Sequence, residues 1–213
     1  MALLIGQCRR PRWWIGRVYL DVMNRTHSGV TDWGLGRVSI SPGATILDVG
    51  CGGGRTIQKL AEASGGRVCG VDYSAASVAA ARRTNAAAIA AGRVEIVEGS
   101  VSRLPYPDAS FDVVTAVETH YYWPNLGEDL REVRRVLEPG GQVVVIAEVY
   151  RRKKPASALF GPIMRLLGGR YVTADEHRAA LMQAGFVEVA VHEDRRGWIC
   201  ATGRSPMSPS PAA

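Results

Sequence analysis

Cysteine is scarce in this 213-residue chain, and its four copies, Cys8, Cys51, Cys69 and Cys200, lie far apart with no CxxC pair. That spacing excludes the common zinc frameworks and a disulfide scaffold, so no metal site is expected. No apolar run is long enough to span a bilayer. The opening MALLIG is too short for a secretory signal, and its arginines follow the apolar residues instead of preceding them. A cytoplasmic protein is the expectation. A GxxxxGK[ST] run is also missing, which excludes a P-loop. What remains is ordinary for one globular domain: 46% hydrophobic and 22% charged residues.

Net charge is +6, carried in short clusters: Arg9, Arg10 and Arg12; Arg82 and Arg83; Arg151, Arg152, Lys153 and Lys154. Such charge attracts nucleic acid or acidic substrates when it gathers on one face. Short scattered clusters read instead as solvated surface. Nucleic acid is therefore not the expected partner. The sequence sets no oligomeric state.

Short β-rich runs alternate with longer helical ones. Strands are expected at 45–49, 67–72, 93–98, 111–117 and 142–149. Helices are expected at 54–64, from Ser74 to about Ala91, and at 126–137. Ser74 is the N-cap of the second, and Pro139, Gly140 and Gly141 stop the third. Cys69 and Cys200 fall in strands and read as core. After a helix from Asp175 to Ala184, residues 187–193 and 198–203 read as an antiparallel hairpin. The fold class is α/β: a doubly wound, Rossmann-like, seven-stranded sheet, mostly parallel, with an antiparallel C-terminal hairpin strand. One domain is expected over 1–203. Residues 1–44 form an N-terminal helical lid segment, 45–203 the core with an insert at 150–172, and 204–213 a disordered tail.

Between the first strand and first helix of the core lies DVGCGGGRT, residues 48–56. Glycines there allow a tight turn and close backbone approach to a nucleotide. Three details restrict which nucleotide. Arg55 stands where a dinucleotide loop needs a small residue. Asp48 would repel a diphosphate but favour an ammonium or sulfonium group. Asp72, ending the second strand in GVDYS, can accept from both hydroxyls of an unphosphorylated ribose. Without ligand, a carboxylate at a strand end is expected to be solvated. A nucleoside with a cationic far end satisfies all three, and S-adenosylmethionine is such a molecule.

The run from Ile46 to Ile146 resembles the class I S-adenosylmethionine-dependent methyltransferases. It is most similar to the type 11 branch that includes the ubiquinone/menaquinone-biosynthesis C-methyltransferases. DVGCGGG resembles the glycine-rich first motif, VDYS the ribose-binding motif, VEGSVSRLPYPDASFDVVTAVE the third and fourth motifs, and LREVRRVLEPGG the helix and turn before strand five. The resemblance implies S-adenosylmethionine as cofactor and S-adenosylhomocysteine as product. By it, Asp48 orients the methionyl ammonium and the backbone of Gly50, Cys51 and Gly52 holds the amino-acid part. Asp72 takes the ribose, Tyr73 packs on adenine, and Val117 and Glu118 line the methionyl end. Ser100 stands where the family often has aspartate facing the adenine amino group, and Val101 can donate its N–H to adenine.

The acceptor must be read from the rim, because methyl transfer from an activated sulfonium chiefly requires alignment. After strand four stands ETHYYWPN, which lacks the (D/N)PP(Y/F) box of base amino-methylases. No cysteine follows a proline, as C5-pyrimidine methylases require. His120, placed on the rim, is the candidate general base, since its pKa lies near operating pH. Trp14, Tyr19, His27, Tyr121 and Tyr122 are candidate acceptor-binding residues. A small-molecule acceptor is expected. The alternatives are an RNA or protein methyltransferase using the basic clusters and a non-catalytic S-adenosylmethionine-binding protein.

Overall fold

A computed structural model describes residues 28–148, 150, 162 and 168–207. The elements run α1 (Ser28–Leu35), β1 (Ile46–Val49), α2 (Arg55–Ala63), β2 (Val68–Asp72), α3 (Ala75–Thr84), α4 (Ala86–Ala90), β3 (Val94–Glu98) and β4 (Phe111–Val117). A single 3-10 turn (His120–Tyr122) follows. Then come α5 (Leu126–Val136), β5 (Leu137–Ala147), α6 (Ala174–Gln183), β6 (Val187–Glu193) and β7 (Ile199–Arg204). The seven strands lie in the order β3-β2-β1-β4-β5-β7-β6. All neighbours are parallel up to β5, and β7 pairs antiparallel with both β5 and β6. The expected fold class is the one observed.

Helices cover both faces of the sheet, so the inner strands are buried on both sides and read as continuous apolar runs. Leu47, Cys69, Val71 and Val114 pack with Leu130, Val133 and Val136 of α5 and Leu181 of α6. Ile46, Val68 and Val113 pack on the other face with Ile57 and Leu60 of α2 and Val78 and Ala81 of α3. On that second face α1 is anchored by Trp33, whose ring lies 6.1 Å from that of Trp198. Lys59 of α2 donates to Ser28 and pairs with Asp32.

Three sequence expectations are corrected. The alanine-rich helix does not run unbroken to Ala91; it breaks at Asn85. The Asn85 side chain is buried and its Nδ2 donates to the carbonyls of Gly54 and Ala81, at 2.9 and 3.0 Å. That bond to the glycine turn ties α3 to the start of α2. Pro139–Gly141 do not form a turn outside the sheet: α5 ends at Val136, and β5 starts at Leu137, which pairs with Phe111. The sheet also extends past residue 203, since Arg204 ends β7 and Ser205 N–H donates to Gly141 at 2.8 Å. Residues 208–213 of the expected tail lie outside the described residues.

Replacing Asn85 with Ala should cost about 1–2 kcal/mol, because two side-chain hydrogen bonds in a buried site are lost. Thermal denaturation measures this. An unchanged melting temperature would show that the break between α3 and α4 does not depend on the bond to Gly54.

Candidate cofactor and active site

The order of the strands reverses between β1 and β4, and a crevice forms there at the carboxyl ends of the parallel strands. A cleft of about 590 Å³ opens at this point. It is lined by Val49 and Gly50 after β1, Asp72 and Tyr73 after β2, Ser100 and Val101 after β3, and Thr119, Tyr122, Trp123 and Pro124 after β4. Among the described residues, no lysine or arginine lines it.

Gly50, Gly52 and Gly54 all have positive φ, at 75°, 51° and 81°. Gly50 needs both its conformation and its missing side chain, for a Cβ there would lie 2.0 Å from Thr119 Oγ1. The N–H groups of Gly50 and Cys51 both donate to Val71 O, and that of Gly52 donates to Asp72 Oδ2. These donors are thus engaged within the loop. A ligand ammonium, which only donates, would need the carbonyl oxygens of the turn, of which that of Cys51 already accepts from Gly54 N–H at 2.9 Å.

Two carboxylates define the electrostatics. Asp48 is 2% exposed beneath the loop, where Thr115 Oγ1 donates to it at 2.6 Å. Burial, with Asp72 adding like-charge repulsion, pushes its pKa up to about 7 against the Thr115 bond. Asp72 is buried, not solvated as the sequence suggested. Its two oxygens accept from Gly52 N and Ser74 N, both at 2.9 Å. Burial still raises its pKa, while those two N–H groups pull it down. Cys51 lies between the two acids. Burial, then Asp72 and Asp48, hold its thiol well above the usual range, so it is a neutral packing residue.

Of the other expected cofactor residues, Tyr73, Ser100 and Val101 line this crevice, whereas Cys51, Gly52, Val117 and Glu118 are not among its lining residues. Tyr73 is 38% exposed. Ser100 accepts from Ser102 N at 3.2 Å. Val117 ends β4, and Glu118 leaves it with φ of 56°, a conformation non-glycine residues seldom adopt. The buried Glu118 carboxylate accepts from the Tyr121 hydroxyl and from Glu148 N–H. Burial and that carboxylate keep the Tyr121 phenol well above its ordinary pKa.

The expected acceptor side changes more. His120 is not on an open rim. It is 1% exposed, does not line the cleft, and its Nε2 lies 2.8 Å from His177 Nε2. Of the tyrosine pair, Tyr122 lines the cleft and Tyr121 is buried behind it. Residues 28–44 of the expected lid do not line the cleft either; α1 packs on the sheet face, where Val30 is buried with Ile57 and Ile146. Trp14, Tyr19 and His27 lie outside the described residues. The sequence reading missed Thr115, Thr119, Trp123 and His177. Thr115 alone carried a signal, as a polar residue inside an apolar strand. Among the described residues no His, Cys, Asp or Glu cluster could hold a metal ion, and no helix is long and apolar enough to cross a membrane.

Residues 47–145 match the family model described as "Methyltransferase domain". The chain is 35% identical over 160 residues to 27-O-demethylrifamycin SV methyltransferase of Amycolatopsis mediterranei, which covers 73% of this chain and 58% of that protein. It thus spans little more than half the length of such curated relatives. Among solved structures, the methyltransferase from Haloferax volcanii crystallised with the Trm112 activator superposes with a TM-score of 0.77, at 23% identity, over 91% of this chain and 96% of that one. A SAM-dependent methyltransferase from Aquifex aeolicus gives 0.72, at 20% identity, over 88% and 97%. The acid-floored glycine turn, the carboxylate ending β2, the sheet order and the family match identify residues 47–145 as a class I S-adenosylmethionine-dependent methyltransferase domain.

Proposed function

We propose that this protein transfers the methyl group of S-adenosylmethionine to a small-molecule acceptor by in-line displacement. One observation carries the reading: Asp72 lines the crevice, Asp48 is buried beneath the glycine turn next to it, and among the described residues no lysine or arginine lines it. That suits a nucleoside with a cationic amino-acid end and opposes a polyphosphate.

Asp72 would exchange its contact to Gly52 for the ribose hydroxyls, and Tyr73 would cover adenine beside Ser100 and Val101. Asp48, with the carbonyls of Gly50 and Cys51, would face the methionyl ammonium, and the backbone at Val117 and Glu118 would line the same end. S-adenosylmethionine supplies an already activated methyl group. The protein's part is to align acceptor, methyl and sulfur and to exclude water. Tyr122, Trp123 and Pro124 give the cleft an apolar wall for a flat or apolar acceptor. The likeness to an enzyme named for a rifamycin acceptor supports a small molecule.

Calorimetry tests the cofactor half. S-adenosylhomocysteine should bind at micromolar Kd, roughly −8 kcal/mol, and NAD should not bind comparably. Tighter binding of NAD would reject the reading. Methyl transfer to a panel of phenols, thiols and amines then tests turnover. Salt-sensitive binding of RNA would instead support a macromolecular acceptor.

A further inference from the structure

The polar side chains of the cleft wall are not equally engaged. Asp72 already accepts from the N–H groups of Gly52 and Ser74, and Ser100 Oγ from that of Ser102. Thr119, which lines the cleft after β4, differs. It stands just before the 3-10 turn, yet its side chain makes no capping bond there. Among the described residues no hydrogen bond engages its Oγ1. The residue is only partly buried, so this hydroxyl is an unengaged polar group on the wall of the crevice.

Gly50 sets where that hydroxyl lies. A Cβ on the glycine would come within 2.0 Å of Thr119 Oγ1, 2.7 Å of its Cβ and 3.0 Å of its Cγ2. The Thr119 side chain therefore fills the space that a side chain at position 50 would need, and its oxygen is held against the backbone of the glycine turn. The turn follows β1 and Thr119 follows β4, so the two meet across the point where the strand order reverses.

With the ribose at Asp72 and the ammonium at Asp48 and the turn, the sulfonium that joins those two parts belongs beside Gly50. We propose that Thr119 Oγ1 contacts the sulfonium centre there and accepts from the C–H groups of its methyl. The inference rests on the methyltransferase reading. Positive charge on sulfur polarises the methyl hydrogens, and a hydroxyl oxygen with unengaged lone pairs is an acceptor for them. Thr119 moves no proton in this role. Its fixed dipole favours a cationic sulfonium over a neutral thioether. The hydrogen bonds of Asp48 and Asp72 go to groups that cofactor and product share. Thr119 meets the one group that S-adenosylhomocysteine lacks, which makes it the residue that tells the two apart.

Calorimetry of the full chain at one pH tests this with three probes and needs no acceptor. They are S-adenosylhomocysteine, S-adenosylmethionine and sinefungin, which carries an ammonium where S-adenosylmethionine carries the methyl. Thr119→Val keeps the shape and removes the oxygen. It should weaken sinefungin by about tenfold or more, because a bond to an ammonium is charge-assisted. S-adenosylmethionine should weaken about two- to fivefold, and S-adenosylhomocysteine by less than about twofold. Thr119→Ser keeps the hydroxyl and should leave all three near wild type. Thr119→Ala also lacks the oxygen and should reproduce the valine pattern, which covers the case in which valine disturbs packing on Gly50. Equal losses for all three probes would make Thr119 a packing residue and overturn the proposal. Unchanged sinefungin affinity would assign the sulfonium to another part of the wall and overturn it as well. Failure of S-adenosylhomocysteine to bind wild type overturns the methyltransferase reading itself, and the proposal falls with it.

Discussion

S-adenosylhomocysteine should bind roughly a hundredfold more weakly at pH 5 than at pH 8, with the profile bending near pH 7. The cause is Asp48, whose pKa in the unliganded fold is pushed up to about 7 by burial. A ligand ammonium favours the ionised carboxylate, so below pH 7 binding must first remove a proton. Each pH unit then costs about tenfold. Asp72, also raised, adds in the same direction. Calorimetry at pH 6 in buffers of different ionisation enthalpy should show proton release on binding. The stability of the free protein has the opposite slope. Asp48 holds its proton more tightly folded than unfolded, so its contribution to stability is fully present below about pH 4. It is lost as pH rises through the folded value near 7. Thr115→Val removes the one bond that lowers this pKa and should move the bend upward by about one pH unit. A flat affinity profile between pH 5 and 8 would remove Asp48 from the ammonium site.

The second large effect is expected at Asp72. Asp72→Ala should weaken S-adenosylhomocysteine binding by about ten- to a hundredfold, since hydrogen bonds to a charged acceptor are worth about 1.5–3 kcal/mol. The fold also responds, because the carboxylate accepts from Gly52 and Ser74 before any ligand arrives. Removing it leaves two loop donors to water, and the melting temperature of the free protein should fall. Calorimetry at pH 7.5 and a melt of the free protein separate the two losses. Normal affinity in this variant would show that the ribose lies elsewhere.

Much of this crevice is legible in the sequence because its determinants are local. Asp48, the glycines and Asp72 sit at strand ends, where a few residues fix both the turn and the chemistry. The burial of His120 was not legible. Its environment is made by His177, 57 residues away, through a contact that no local pattern encodes. Thr115 is likewise brought to Asp48 from 67 residues away by the pairing of β1 with β4. Pro139–Gly141 show tertiary structure overriding local preference. Turn residues there are drawn into β5 by the pairing of Leu137 with Phe111. The break at Asn85 has the same origin, since the chain gains a buried contact to Gly54 that a continuous helix would forgo.

The antiparallel course of β7 has a practical consequence. Because β7 runs from Ile199, paired with Ala147 at the end of β5, to Arg204, paired with Gln142 five residues earlier, it carries the chain away from the crevice toward the opposite end of the sheet. Residues 205–207 emerge there, with Met207 against Gly140. A tag, fluorophore or surface linker attached after residue 207 therefore leaves the mouth of the crevice clear. Immobilising the protein through that end should preserve cofactor affinity.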